Sequence, residues 1–525
     1  MTKIKSILWL MVAAVAGGLA MVSCTSSNDN PIPPVIPPRD NTPVDYTIMY
    51  YSAGGENLDE DAETDLMRAA KALQASDKQI RFVVQYKYST QEGLDAQTKK
   101  TGAKFSGVAG GLYRFELLPS HINKNGALEY FTDNMLYGNQ QAKSKIYRSD
   151  SITSFINYCQ RVAPAKNYIL MFSDHGNGYV IWDDYPKTRS IVSDLFQKDP
   201  DDYVTPGISI CDIRDGIRNS NIKQKRVKMI IFDACLMNTL EVLTEVMDET
   251  DYVIASSFVS NGGNYTDFIN YLRKASDDAS LEKNMSDYLK STIDMYNTFV
   301  EGEDNAKYVP EKTPKRCDWV LTDMSRFRAT VPAAVSEFRD KLVGENASNF
   351  GATGLKDAAE QCYHSDVTTA LYDMGQYAHL LAKAANTTQE LKDKAAALKT
   401  AMENAQICHH YTNKVKEDFN SMDYKKLTYT VNLGAKISDD PLVVCLRVKD
   451  PDNLGEVLCY GSDGNMYYYN TNNSTWKKGD PKDYDKDAKW DSSYYTTAFD
   501  KATGWSKWIM KNTCFPTGNP PFGGK

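Results

Sequence analysis

Two residues able to carry acyl-transfer chemistry stand at matching places in this 525-residue chain. Cys235 follows the strand-like start of "IIFDACLMNTLEVL", and His175 ends the apolar part of "NYILMFSDHGNGY". A thiolate is a nucleophile and an imidazole moves protons near neutral pH, so such a pair facing across a cleft can open a carbonyl–nitrogen bond through a covalent intermediate. Leu236, Leu240, Leu243 and Met247 recur at helical spacing. That places Cys235 at a strand-to-helix junction, where the positive end of the helix dipole is expected to favour the thiolate. Asp233 precedes Cys235 by two residues, so strand alternation sends both side chains to one side. A carboxylate in an apolar strand needs either a structural partner or a cationic ligand. Asp174 alternates away from His175 and is expected to be structural.

These residues need a frame that brings strand ends together. "DYTIMYYSAGGENLDEDAETDLMRAAKAL" reads as strand, glycine turn and helix, with Leu66, Ala70 and Leu73 at helical spacing. "IRFVVQYKY", "NYILMFS", "VKMIIFDAC" and "DYVIASS" read as further strands, and Ser151–Val162 and "ISICDIRDGIRNS" as helices. Strands alternating with helices predict a mainly parallel α/β sheet covered on both faces, whose functional groups gather at the carboxyl ends of the strands. Further on, segments such as "TQELKDKAAALKTAMENA" are amphipathic helices, while "TYTVNLGAKI", "PLVVCLRV" and "GEVLCYGSDGNMYYYN" are strand-like with turn signals.

Composition narrows the function classes. The chain is 42% hydrophobic and 24% charged with a net charge of −8, and no long basic stretch interleaves with aromatics, so no nucleic-acid partner is expected. The start, "MTKIKSILWLMVAAVAGGLAMVSC", has Lys3 and Lys5, a short apolar run and small residues, the layout of a secretory signal and too short for a membrane span. Its end, "LAMVSC", resembles a bacterial lipobox, which implies lipidation of Cys24. The proline-rich "TSSNDNPIPPVIPPRDNTP" that follows reads as an extended tether. The expected location is outside the cytoplasm, lipid-anchored to the cell envelope, at the outer membrane or cell surface. Of ten cysteines, nine remain after Cys24, an odd number without a C-x-x-C pair, so no disulfide framework or zinc site is expected and Cys235 is the natural free thiol. His409 and His410 adjoin each other outside any metal-binding motif.

"YTIMYYSAGGENLDED", "FSDHGNGY" and "IFDACLMNTLEV", in this order, resemble the clostripain family of cysteine peptidases, relatives of caspases and gingipains, over roughly residues 45 to 270. Where relatives often carry S-Q-E followed by P-G-x-G-W, this chain reads "SFVSNGGNYTDF", without the Glu and Pro. The resemblance implies a caspase-like α/β/α sandwich with a mainly parallel sheet; the helical segments and the β-rich C-terminal portion come from the patterns read above. The expected organisation is a signal at 1–24, a tether at 25–44, the peptidase domain at 45–328, a helical segment at 329–420 and a β-rich portion at 421–525.

Cys235 is then the expected nucleophile and His175 its proton carrier, with an oxyanion site at the N–H groups of Gly176 and Cys235. The resemblance makes Asp233 the floor of the pocket for the residue before the cut, so protein or peptide substrates cleaved after Arg or Lys are expected. It also implies activation by a cut between His175 and Cys235; in that long polar connection Arg189 is expected first and Lys187 next, since both follow His175 closely, and Lys198, flanked by acids, least. No cofactor is needed; the acidic stretch Ser193 to Asp202 is a weaker candidate for calcium, which some relatives use. The competing expectation is a non-catalytic surface lipoprotein that binds host glycans or proteins through its tyrosine-rich C-terminal region.

Overall fold

The computed structural model describes residues 42–432 except 56, 75–76, 130–134, 138–145, 177, 179–190, 194–206, 261, 299–315, 345–361, 364–370 and 385–386, and beyond them 448–450, 453–460, 466–470, 475–478 and 498–505. Cys24, Lys187, Arg189 and Lys198, and all but Ser193 of the acidic stretch, lie outside the described residues.

Twelve strands lead from the start of the fold to the far edge of its sheet: β1 (Val44–Ala53), β2 (Ile80–Lys87), β3 (Leu112–Leu117), β4 (Met135–Tyr137), β5 (Ala165–Ser173), β6 (Ile191–Ser193), β7 (Gly207–Ile208), β8 (Val227–Asp233), β9 (Thr250–Ala255), β10 (Asp318–Asp323), β11 (Leu371–Asp373) and β12 (Gln406–Tyr411). Nine of them form one sheet in the order β12-β10-β9-β8-β5-β1-β2-β3-β4. The five central strands, β2, β1, β5, β8 and β9, run parallel, and β3, β4, β10 and β12 add antiparallel edges. The sheet is mainly parallel and flanked by helices, the caspase-like α/β arrangement. β12, from the expected helical segment 329–420, forms one edge of this sheet. β13 (Thr430–Asn432) pairs with β11, and β14 (Val448–Asp450), β15 (Asn453–Tyr460), β16 (Met466–Asn470) and β17 (Thr475–Lys478) form a four-stranded antiparallel sheet.

Period-two alternation divides the core. Met49 and Tyr51, Leu170 and Phe172, and Ile230 and Phe232 face one hydrophobic cluster, while Ile48 and Tyr50, Ile169 and Met171, and Met229 and Ile231 face the other. Both faces are therefore buried, which explains why these strands read as continuous apolar runs. Each fully buried Leu, Ile or Phe side chain contributes about 1.5–3 kcal/mol.

Two helices on the second face matter for the site. Helix Asp59–Ala72 begins with Asp59, Glu60 and Asp61, whose charges suit the positive end of its dipole, and buries Ala62, Leu66, Ala69 and Ala70 along one stripe. It also buries Glu63 and Asp65, acids that an ordinary packing face excludes. Helix Tyr265–Leu272 starts at Asn264, whose side chain accepts from the Asp267 N–H, and the Thr266 hydroxyl ties it to the Arg68 carbonyl at 3.1 Å.

Candidate active site

Chain direction between β1 and its neighbours sets the location. β1 sends one parallel connection to β2 and a later one to β5, so the strand order reverses there and a crevice opens beyond their carboxyl ends. A cleft of ≈ 610 Å³ lies at that edge, and Ser52, Asp65, His175, Asp233, Cys235 and Ser260 are among its lining residues.

The turn after β1 supplies a partner for His175. Gly54 donates to the Lys87 carbonyl at 2.8 Å and accepts from the N–H groups of Asn57 and Leu58 at 3.1 and 2.7 Å. A side chain at Gly54 would collide with the Asp59 carboxylate, which is itself held by the Tyr86 hydroxyl at 2.7 Å and the Gln97 amide at 2.8 Å. The tight turn thus delivered places Asn57 Oδ1 2.7 Å from His175 Nε2. With Oδ1 accepting, the imidazole carries its proton on Nε2 and keeps Nδ1 as the base. Asp174 Oδ1 accepts the His175 main-chain N–H at 2.5 Å, so it fixes the backbone rather than the ring. Burial lowers the half-buried His175 below the usual imidazole range, leaving it neutral near pH 7.

Cys235 differs from the sequence expectation in one respect. The following helix spans only Leu240–Val246 and is capped by Thr239, whose hydroxyl accepts from the Val242 N–H at 3.1 Å. Cys235 and Leu236 precede it in a turn, with Leu236 in the left-handed region at φ 64°, so the thiol does not sit at the helix dipole. Burial raises the Cys235 thiol above its usual range, the main chain at Ser260 opposes this, and the Asp233 charge adds to it. The resting residue is therefore a thiol, whose Sγ points to the Ser260 carbonyl at 3.9 Å.

The close approach of the β5 and β8 ends requires Gly176, because a Cβ there would meet Ala234 Cβ at 2.8 Å and Cys235 N at 2.9 Å. The main chain at Gly176 and at Cys235 itself also works against the effect of burial on the thiol. The residues after Cys235 are tied down from far along the chain. The Leu236 N–H donates to the Phe258 carbonyl at 2.9 Å, the Asn238 amide to the Ser257 hydroxyl at 2.8 Å and the Thr428 carbonyl at 3.1 Å, and the Thr430 N–H to the Asn238 carbonyl at 3.0 Å.

Asp233 lines the same cleft as Cys235 and is only 6% exposed. Of the two partners that sequence left open, the structure provides half of one: the Tyr265 hydroxyl donates to Oδ2 at 2.6 Å, while Oδ1 completes no hydrogen bond. Burial raises this carboxyl, and Tyr265 and the nearby Gly263 N–H hold it back. Sequence reasoning did not single out Asn57, Asp65, Ser260 or Tyr265. The signal for Asn57 lay in "GGENLDED", that for Asp65 in the acids on an otherwise apolar helix stripe, and Ser260 and Tyr265 stand in "SFVSNGGNYTDF". Among the described residues no group of three or more His, Cys, Asp or Glu is placed to hold a metal ion. Among them, too, Cys159, Cys211, Cys235, Cys317, Cys362 and Cys408 are free, and no helix is long and apolar enough to cross a membrane.

Solved structures similar to this chain include a secreted C11 cysteine protease from Bacteroides thetaiotaomicron in complex with an irreversible peptide inhibitor, 14% identical with a TM-score of 0.49 over 88% of this chain and 99% of that one. A second from the same organism, "iotapain", is 17% identical with a TM-score of 0.45 over 71% and 87% of the two chains. An inactive zymogen C11 protease from Parabacteroides distasonis is 14% identical with a TM-score of 0.45 over 89% and 99%. No curated protein sequence matches this chain. A model of the clostripain family does match, from residue 51 to residue 511, and on that span the chain belongs to this family of cysteine peptidases.

Proposed function

We propose that this cysteine peptidase is an endopeptidase that cuts after Arg or Lys, using Cys235 as nucleophile and His175 as proton carrier. The observation that supports it is the gathering of Cys235, His175 and a half-satisfied buried carboxylate, Asp233, around one cleft. A basic side chain beside Asp233 would bring that residue's own carbonyl to Cys235. Sγ attacks the carbonyl carbon as its proton passes to His175 Nδ1, and the carbonyl electron pair moves onto oxygen, facing the N–H groups of Gly176 and Cys235. Collapse breaks the C–N bond and the imidazolium delivers its proton to the departing amine. Water activated by the same imidazole then hydrolyses the thioester.

In the same proposal the zymogen is opened by its own activity at Arg189, or failing that Lys187, and the mature chain is anchored through lipid on Cys24. The test uses the full-length exported protein and a fluorogenic peptide with Arg before the cut. Turnover by the wild type, abolished in Cys235→Ala together with any two-band pattern on a denaturing gel, is the expected result. Turnover that persists in Cys235→Ala would sink the proposal.

A further inference from the structure

Asp233 is not the only acid on this wall of the cleft. Helix Asp59–Ala72 presents Asp61, Asp65 and Arg68 to it, and Asp65 is 9% exposed. Its two oxygens have different neighbours. Oδ1 accepts from Arg68 Nη1 at 3.0 Å, whereas a Cβ built on Gly262 would lie 3.7 Å from Oδ2 and 3.8 and 3.9 Å from the two oxygens of Asp233. The space above Gly262 is thus bordered by both carboxylates and kept open by a residue at φ +81°, a conformation that side chains rarely adopt. Into that space also faces Asp233, whose Oδ1 completes no hydrogen bond. Burial and then the charge of Asp233 push Asp65 well above the carboxylate range, with Arg68 pulling it back.

We infer that Asp65 is a second specificity-determining residue, which together with Asp233 is bridged by one substrate guanidinium, so that the enzyme favours Arg over Lys. This rests on the reading of Asp233 given above. A guanidinium offers five N–H donors in a planar fork and can serve two carboxylates at once, while an ammonium is a compact point charge that engages one well. Arg68, by holding Oδ1, leaves Oδ2 to the incoming group.

The experiment compares kcat/KM for three peptides identical except for Arg, Lys or citrulline before the cut, on the mature enzyme with active sites titrated through Cys235. The wild type is expected to prefer Arg over Lys by about tenfold or more, and Asp65→Asn to lose most of that ratio by slowing Arg cleavage while Lys cleavage changes little. Asp233→Asn should depress both. An unchanged Arg-to-Lys ratio in Asp65→Asn, with Asp233→Asn still impaired on both, overturns this inference alone. Equal cleavage of citrulline and Arg peptides by the wild type overturns the basic-pocket reading and this inference with it. Where Asp65→Asn shows no cooperative melting, the wild type decides. Lys cleaved as fast as Arg, or a peptide with Nω-dimethylated Arg cleaved as fast as unmodified Arg, rules out the two-carboxylate bridge.

Discussion

Asp233 and Asp318 are buried aspartates at the same edge of one sheet, Asp233 closing β8 and Asp318 opening the antiparallel β10, yet their surroundings are opposite. Asp318 is satisfied on every side: Oδ1 accepts from the Ser256 hydroxyl at 2.8 Å and the N–H groups of Ser257 and Phe258 at 2.7 and 3.3 Å, and Oδ2 meets His409 Nε2 at 2.8 Å. Asp233 has one tyrosine hydroxyl and one oxygen without a donor. The first acid holds the loop that leads to Ser260. The second is left short of donors beside the thiol, an arrangement that costs stability unless a ligand completes it.

The largest effect expected is on chemistry. Cys235→Ala should reduce cleavage of an Arg peptide by on the order of 10⁴-fold or more while leaving the urea midpoint nearly unchanged. Breaking the satisfied acid should do the reverse. Asp318→Ala strands His409, the Ser256 hydroxyl and two main-chain donors and is expected to cost about 3–5 kcal/mol, read as a lower urea midpoint. A shift below about 1 kcal/mol would erase the contrast with Asp233. Asp233→Asn should leave the midpoint within about 1 kcal/mol while lowering kcat/KM for basic peptides by roughly a hundredfold.

Smaller effects sharpen the picture around the thiol. Asn57→Ala should lower kcat by about tenfold with KM unchanged, because it frees the ring of His175 without removing its base. Burial and the Asp233 charge both raise the Cys235 thiol, so the thiolate fraction, and with it the rate of iodoacetamide labelling, should keep climbing past an ordinary thiol value of about 8.5. A plateau at or below neutral pH would contradict this. Asp233→Asn removes a charge that disfavours the thiolate and should speed labelling at pH 8 by a few-fold.

Much of the frame was legible because it depends on local periodicity. Alternation in "YTIMYYS", "YILMFS" and "KMIIFD" marks strands buried on both faces, and His175 and Cys235 follow two that pair as neighbours. Asp233 and Cys235 do line one cleft, but so does Ala234 between them, because the strand ends at Asp233 and Cys235 stands in the turn beyond it. The helix-dipole expectation failed for a local reason: Thr239 caps the helix, and the four residues before it spend their length in a turn bonded to Phe258 and Ser256. What remained hidden depends on distance. Nothing near "DWVLTD" announces that its Asp318 meets His409, and adjacent His409 and His410, which project to opposite sides of β12, go to Asp318 and to the Ser286 hydroxyl. Asp65 reads as one more helix charge until the fold brings it to the cleft beside Asp233.

The bonds from Asn238 to Thr428 and Thr430 bear on the order in which the enzyme comes into being. They join residues 190 and 192 positions apart in the chain, so the segment behind Cys235 cannot settle until translation has delivered what lies beyond residue 428. Contacts of such separation are slow to close, because the loop entropy is lost before the contact is gained. A nascent chain can therefore build the parallel strands while the turn that carries Cys235 is still unfixed, so the cleft is completed late in folding.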